Sequence, residues 1–233
     1  MQWQNFIRLT ACVAVFAATG ALAQDQFNPN FCANDFCNKL ELGHVTGKTP
    51  AKLYWAPQQI KDCPAETKKC IMPGSLRPGQ MVIAEGRNGD FVAVGFIDRD
   101  GTSEHGFMAA SQYAAEPVQP SKNPPLSDWV GVWGTPDSRV TIRKSGDMLE
   151  ADGEGYWPAK NYVQRPGMPG QNEGGFSAKA KPNGNTVLFK EGDDQYDCKV
   201  SALLFGPFLW LEDNSSCGGM NVRFLDLRAR ARK

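Results

Sequence analysis

Short apolar runs that alternate with polar positions make up most of the chain, and turn-forming residues separate them. Alternation with a period of two over such short runs is typical of β-strands and predicts an all-β fold. The runs on either side of Asn88-Gly89 form the strongest hairpin signal in the N-terminal half. A two-residue turn there places Ile83 opposite Val94 and leaves Glu85 near the solvated end of the hairpin.

A second hairpin is predicted around Gly146-Asp147, because the runs 139–144 and 148–154 both alternate. A two-residue turn gathers the apolar side chains of both strands on one face: Val140, Ile142, Leu149 and Ala151. On the other face the same register pairs Arg143 with Glu150, Thr141 with Asp152 and Arg139 with Glu154. Burial of the apolar side chains and pairing of opposite charges therefore favour the same register of this hairpin.

The last third of the chain predicts two strands that differ in how many of their faces are apolar. Alternation between Tyr196 and Leu204 puts Cys198 and Val200 on an apolar face, whereas Ser201 faces water. The next run, 208–211, is apolar on both of its faces. A strand of this kind requires cover on both sides. We therefore expect the linker, the first domain or a partner to cover part of it.

Composition shifts divide the chain into segments. A proline-rich stretch with little apolar content, 115–127, is predicted to be a semi-rigid linker between two domains. The other predicted segments are a signal peptide (1–23), a short cysteine-bearing segment (24–48), a compact N-terminal domain (49–114) and a C-terminal domain (128–233). The C-terminal domain is predicted to be an antiparallel meander of about eight strands, forming a barrel or a sandwich.

The first residues predict export from the cell. Arg8 precedes the apolar run 11–23, which ends in small residues and is too short to span a bilayer. We expect cleavage before Gln24 and a periplasmic or secreted protein. No later apolar run is long enough for a membrane span, so none is predicted.

The cysteines predict disulfides. Of the 7 cysteines, Cys12 lies in the predicted signal, and the even set that remains in an exported chain favours disulfide bonds. Several connectivities are open, and spacing along the chain leads us to predict Cys32–Cys37, Cys63–Cys70 and Cys198–Cys217. These spacings do not match a zinc ribbon, so we expect no metal site.

Charge and candidate chemistry narrow the function classes. The 25 basic residues balance 25 acidic ones, which gives no electrostatic footprint for nucleic acid. We expect a monomer with no nucleic-acid partner and no cofactor.

The candidate catalytic residues are two histidines and a row of carboxylates. Neither His44 nor His105 has beside it both a nucleophile and a group that would orient the ring, so no catalytic triad is predicted. Glu150, Asp152 and Glu154 keep a glycan hydrolase as a third alternative, although their cross-strand partners explain the row without catalysis.

Residues 51–113 resemble a bacterial SH3 domain. Four features carry the resemblance: the strand Ala51–Trp55, the long Cys63/Cys70 loop, Pro78-Gly79-Gln80-Met81-Val82 before the hairpin, and Gly106-Phe107-Met108 at the exit. Phe107 stands where the family usually has tryptophan. The resemblance implies a small barrel that binds peptides or cell-wall material through aromatic residues beside the long loop.

The C-terminal domain is similar to a module of exported bacterial proteins of the lysozyme-inhibitor type. The resemblance rests on Trp129-x-Gly131-x-Trp133, Glu212-Asp-Asn214 and Cys217-Gly-Gly-Met-Asn-Val222. The closing "G-x-Y-x-R" of that module is replaced here by Leu225-Asp-Leu-Arg228. The resemblance implies inhibition of a wall-degrading enzyme.

Two main function hypotheses follow. The first is a non-enzymatic envelope protein that binds peptidoglycan or its stem peptides through the aromatic candidates Tyr54, Trp55, Phe107, Tyr156 and Trp157. The alternative is an inhibitor or immunity protein against a cell-wall hydrolase, a lysozyme or an amidase. Its candidate partner loops, 164–175 and 213–221, contain Arg165, Met168, Asn172, Gly218, Gly219, Met220 and Asn221.

Overall fold

The structure, a computed structural model, describes residues 39–168 and 170–231. This part of the chain is all-β and its strands pair antiparallel, as the alternation predicts. The predicted signal peptide, 1–23, and the predicted Cys32–Cys37 bond lie outside the described residues. Among the described residues, no helix has the length and apolar content needed to cross a membrane.

The N-terminal half forms a 7-stranded sheet in the order β3-β2-β6-β5-β4-β1-β7. Its strands are β1 (Glu41–Val45), β2 (Ala51–Tyr54), β3 (Ile71–Leu76), β4 (Met81–Asn88), β5 (Phe91–Ile97), β6 (Ser103–Ala109) and β7 (Tyr113–Ala115). Side chains from all of these strands share one buried cluster, so the sheet curls around its own core. In the described chain no strand ladder joins the outer strands β3 and β7, so the barrel is not closed.

Strand β1 lies inside this sheet, and its residues belong to the predicted cysteine-bearing segment 24–48. It pairs with β4 on one side and with β7 on the other. Val45 enters the core of the curled sheet, whereas Leu42 points to the opposite face. The strand is short and has no hairpin partner next to it in sequence, so local pattern did not show its pairing.

The β4–β5 hairpin differs from the prediction in its turn and its register. Gly89 and Asp90 are the central turn residues, and Asn88 pairs with Phe91. Gly89 has a φ of 56°, whereas Asp90 has no positive φ, so glycine supplies the left-handed residue at the first central position.

A β-bulge between Ala84 and Gly86 then changes the faces of the strand. Ile83 pairs with Gly95 and not with Val94, and its side chain leaves the curled core. The position predicted to open to solvent, Glu85, instead has its side chain only 19% exposed at the contact between the domains.

The C-terminal half is a sandwich of two 4-stranded sheets, preceded by the short helix α1 (Leu126–Trp129). One sheet has the order β11-β10-β9-β8, with β8 (Gly131–Thr135), β9 (Ser138–Ser145), β10 (Met148–Trp157) and β11 (Asn172–Ala180). The other has the order β12-β13-β14-β15, with β12 (Thr186–Lys190), β13 (Lys199–Phe205), β14 (Phe208–Asp213) and β15 (Asp226–Ala229). The inner faces of both sheets form one apolar core, which includes the fully buried Trp129 and Trp133.

The β9–β10 hairpin has the predicted register. Arg143 pairs with Glu150, Thr141 with Asp152 and Arg139 with Glu154. The four predicted inward side chains are at most 1% exposed: Val140, Ile142, Leu149 and Ala151. The next predicted strand starts earlier than expected, since β11 begins at Asn172 and takes up part of the loop 164–175.

Both predicted disulfides that fall within the described residues are present. Cys63 and Cys70 are bonded with a Cα–Cα distance of 5.5 Å, and Cys198 and Cys217 with one of 4.6 Å. Disulfides of this kind indicate an oxidising compartment outside the cytoplasm.

The two domains pack against each other through a third apolar cluster. Leu42 and Ile83 of the first domain meet Leu203, Phe208 and Leu227 of the second domain in this cluster. Such a contact between separate sheets buries apolar surface that local pattern leaves exposed.

The cover expected on both faces of β14 is therefore supplied by the first domain and by the sandwich core. Leu209 and Leu211 lie in the sandwich core, whereas Phe208 and Trp210 join the cluster between the domains. Ser201, which we expected to face water, is only 2% exposed, and by alternation it shares the face of β13 that carries Leu203 of this cluster.

Candidate functional site

A groove beside the disulfide loop of the first domain is the candidate ligand site. The loop runs from Trp55 to Cys70, and the Trp55 N–H donates to the Cys70 carbonyl at 2.8 Å. The Cys63–Cys70 bond packs with Tyr54 in a small cluster that holds the loop against the outside of the sheet. The loop is thereby fixed at both ends, which gives the groove a rigid wall.

The groove consists of two adjoining depressions of about 500 Å³ and about 320 Å³. Glu66, Ala109 and Ser111 line both of them. Phe91 lies at one end of the groove and Tyr54 at the other. Its volume is within the range of small-ligand sites.

Two carboxylates face this groove without a charged partner. The side chains of Glu66 and Asp90 make no hydrogen bond or ion pair to any described residue. Burial and the negative charge of Glu66 raise the pKa of the Tyr54 hydroxyl, so this phenol stays protonated and can donate a hydrogen bond. The groove therefore offers apolar surface and two exposed anions against one lysine of its lining, Lys52, a balance that favours a ligand with an ammonium group.

The structure does not gather the five aromatic candidates into one site. Tyr54 lines the groove although it is only 5% exposed. Trp55 and Phe107 pack in the cluster beneath the loop, where they support the groove without lining it. Tyr156 and Trp157 lie at the end of β10 in the second domain.

The candidate partner loops do come together, at one rim of the second domain. The Gly175 N–H donates to the Cys217 carbonyl at 2.8 Å, and the Gly219 N–H donates to the Glu173 carbonyl at 3.1 Å. The Asn172 amide donates to the Met220 carbonyl at 2.8 Å. The segment after Cys217 therefore covers the edge of β11 and joins both loops into one surface.

This rim exposes apolar side chains. Met220 is 76% exposed, Met168 is 51% exposed and Trp157 is 38% exposed. Arg165, Gly218 and Asn221 are also exposed, and Asn221 has a φ of 67°, which fits the tight loop. Exposed apolar groups on an ordered rim are typical of a surface that contacts another protein.

Asp213 holds the rim in place, a role that the sequence did not indicate. Its fully buried carboxylate accepts the Ser215 N–H at 2.7 Å, the Arg223 Nε–H at 2.7 Å and the Phe224 N–H. Three donors on one carboxylate tie both ends of the loop 214–224 to the end of β14. In the sequence, Asp213 stood out only as part of Glu212-Asp-Asn214, one of the motifs on which the resemblance of this domain rests.

A second polar cluster lies between the domains and is centred on His105. Its Nδ1 lies 2.8 Å from Glu85 Oε1, and its Nε2 lies 3.2 Å from Asp226 Oδ1. These bonds, to Asp226 and then to Glu85, raise the pKa of His105 to about 10, against the opposing effect of burial. The Trp210 ring packs edge-on against the imidazole, with a centroid distance of 5.7 Å.

This cluster brings Ser103, His105 and Asp226 together but does not form a catalytic triad. The Ser103 hydroxyl donates to Asp226 and not to the imidazole. Both ring nitrogens of His105 face carboxylates, so neither is available to accept a proton from a nucleophile. Although burial acts to raise the pKa of Asp226, its hydrogen bonds with His105 and Ser103 lower it. The cluster thus joins a cation to two anions.

The row of carboxylates on β10 is occupied by ion pairs. Arg139 and Lys160 bind Glu154 at 2.6 Å and 3.1 Å, Arg143 binds Asp152, and Lys179 binds Glu150 at 3.2 Å. Hydrogen bonds from Ser177 and Arg143 lower the pKa of Asp152, and those from Arg139 and Lys160 lower the pKa of Glu154. A glycosidase acid requires the opposite shift, toward a raised pKa.

The remaining histidine, His44, lies with its Nδ1 2.6 Å from Glu116 Oε1. Across the described ranges, no cluster of histidine, cysteine and carboxylate side chains has an arrangement suited to a metal ion.

A scan against protein-family models and searches of curated proteins and of solved structures found no match to this chain. The resemblances to bacterial SH3 domains and to lysozyme-inhibitor-type modules therefore stay predictions.

Proposed function

We propose that this is an exported, non-enzymatic protein of the bacterial envelope that binds peptidoglycan stem peptides in the groove of its first domain. The observation that carries the proposal is the pair of unpaired carboxylates, Glu66 and Asp90, beside the apolar surface of Phe91 and Ala109. Stem peptides carry free amino groups next to small apolar side chains, and the groove complements both.

The location of the protein follows from two features. The predicted signal at 1–23 supports export. The Cys63–Cys70 and Cys198–Cys217 bonds support an oxidising compartment, in agreement with a periplasmic or secreted protein.

The test is co-sedimentation of the mature protein with purified sacculi. We expect the wild-type protein to sediment with sacculi and the Glu66→Gln/Asp90→Asn variant to remain largely in the supernatant. The matched control is Asp147→Asn/Asp193→Asn, which removes two exposed carboxylates from turns of the second domain. Equal sedimentation of all three proteins, or none with the wild type, would overturn the proposal.

The rim of the second domain favours a second candidate function, inhibition of a cell-wall hydrolase. The motivating observation is that residues 172–175 and 217–220 of the predicted partner loops hydrogen-bond to each other, with Trp157 paired to Asn172 and Met220 exposed. Mature protein is assayed against a panel of lysozymes and amidases. We expect inhibition of at least one enzyme and its loss in Met220→Asp, whereas Leu225→Asp, an exposed apolar control, retains it. A panel with no inhibited enzyme rejects this candidate.

A further inference from the structure

A second groove, of about 490 Å³, lies where the two domains meet. The first domain contributes the β3–β4 connection, the start of β4 and the turn after β5. The second domain contributes the β8–β9 turn, the β13–β14 turn and the end of β15. Met81, Ile97 and Phe208 form an apolar base that continues the cluster between the domains. Its volume suits a short peptide or another small ligand, and sites of this kind are frequent at domain junctions.

The walls of this junction groove are held by hydrogen bonds. The Gln80 side chain accepts the Arg77 N–H at 3.1 Å and donates to the Ile97 carbonyl at 3.2 Å. Asp98 Oδ1 accepts the N–H groups of Asp100 and Thr102, both at 2.9 Å. The groove is therefore formed before a ligand arrives, which lowers the entropic cost of binding.

Arginines give the groove its positive character. The guanidinium groups of Arg77 and Arg99 have no hydrogen-bond or ion-pair partner among the described residues. The guanidinium of Arg230 is fixed: it donates to the Val130 carbonyl at 2.8 Å and lies 4.8 Å from the centre of the Trp133 ring.

The acidic residues of the lining only partly balance these arginines. Asp98 and Asp100 are two anions against the three cations Arg77, Arg99 and Arg230, and neither aspartate forms an ion pair with them. Guanidinium groups bind carboxylates with two parallel hydrogen bonds, so unpaired arginines beside an apolar base match a carboxylate attached to an apolar group.

We propose that the junction groove binds the C-terminal carboxylate of a short peptide, with Arg77 and Arg99 on the carboxylate and an apolar side chain on Met81, Ile97 and Phe208. This site is independent of the stem-peptide groove, since the two share no lining residue. The ligand touches both domains at once and therefore stabilises their contact.

The experiment is isothermal titration calorimetry of the mature protein with acetyl-Ala-Ala-Leu carrying a free carboxylate. Three comparisons accompany it: the same peptide with a C-terminal amide, inorganic phosphate, and the Arg77→Gln/Arg99→Gln variant. The control variant is Arg87→Gln/Lys144→Gln, which removes two exposed cations that do not line the groove. Thermal unfolding of both variants verifies that they fold.

We expect the free-acid peptide to bind and to raise the unfolding temperature, and binding to weaken roughly tenfold or more for the amide and for Arg77→Gln/Arg99→Gln. The control variant should bind as the wild type does. The proposal is overturned if the amide binds equally well, if the groove variant binds as the wild type does, or if only phosphate binds. Because Glu66 and Asp90 are unchanged in the groove variant, its binding to sacculi separates this site from the one proposed above.

Discussion

At the scale of single residues, two glycines of β10 decide how the sandwich closes. A Cβ atom on Gly153 would lie 2.2 Å from Phe176 Cε1 and 2.9 Å from Phe224 Cε1. These two rings meet edge-to-face with a centroid distance of 5.0 Å, and Gly155 lies against Val222. At Gly153 the aromatic rings occupy the space that a side chain would fill, so packing and not φ requires glycine there. At Gly155 the contact is milder, since an added Cβ atom would lie 3.0 Å from Val222 Cγ1.

Gly153→Ala should lower the free energy of unfolding by about 1–3 kcal/mol, because the methyl group forces Phe176 and Phe224 from their places in a dense core. Urea unfolding followed by tryptophan fluorescence measures the change. Gly86→Ala is the matched control, since it also lies in a strand but has no atom within 4 Å of the added Cβ. Equal stability of the two variants would contradict the packing argument.

At the scale of elements, the loop 214–224 behaves as an added edge strand. Its residues Cys217 and Gly219 pair with β11 at Gly175 and Glu173, and Gly174 bridges Gly218. The Cys198–Cys217 bond anchors the loop at Cys217. Asp213 holds the two ends of the loop by accepting the N–H groups of Ser215 and Phe224. An edge covered in this way is protected from pairing with another chain.

Replacing Asp213 with alanine should free this loop without unfolding the sandwich. The buried N–H of Phe224 loses its partner, at a cost of about 1–3 kcal/mol. Hydrogen exchange of the Gly175 and Gly219 amides, which donate across the loop, should accelerate more than that of amides in β9. Asp147→Asn, an exposed carboxylate in a turn, should leave both rates unchanged. Uniform acceleration throughout the sandwich would instead indicate general destabilisation.

At the scale of the whole molecule, the domains are joined by an apolar cluster and by one charged centre. His105 of the first domain lies between Glu85 of the same domain and Asp226 of the second domain. Each ring nitrogen faces a carboxylate, so the arrangement requires the doubly protonated, cationic imidazole. The charge state of one residue therefore contributes to the contact between the domains.

The domain contact should weaken as pH rises. The pKa of His105 is raised to about 10 in the folded protein, whereas an unfolded histidine titrates near ~6.5. The stabilisation is fully present below the unfolded value and is lost as pH rises through the folded value. Wild-type protein should thus lose stability between pH ~6.5 and ~10 relative to His105→Asn.

The measurement is urea unfolding of both proteins at several pH values across this window, with Trp210 as a local fluorescence reporter. His44→Asn, which removes the other histidine, should keep the pH dependence of the wild type. A parallel pH profile for wild type and His105→Asn would show that the imidazole does not support the contact.

Local pattern was sufficient for the parts of the fold in which neighbours in sequence are neighbours in space. The all-β class, the register of the β9–β10 hairpin and the Cys63–Cys70 and Cys198–Cys217 bonds could be predicted in this way. The candidate groove was partly predictable, because the disulfide loop and Tyr54 were visible, but its anions Glu66 and Asp90 come from different elements. Residues separated in this way leave no periodic signal.

The sequence by itself determined which strands alternate and that the strand at 208–211 needs cover on both faces. Cysteine spacing predicted the two disulfides that the structure describes, although the sequence left other pairings open. Only the tertiary structure decided what supplies that cover, because the first domain approaches β14 from a distant part of the chain. The bulge at Glu85 had the same kind of consequence: one extra residue turned Ile83 outward to the second domain and brought Glu85 to His105. Alternation depends on adjacent residues, whereas domain contacts depend on how whole sheets curl and meet.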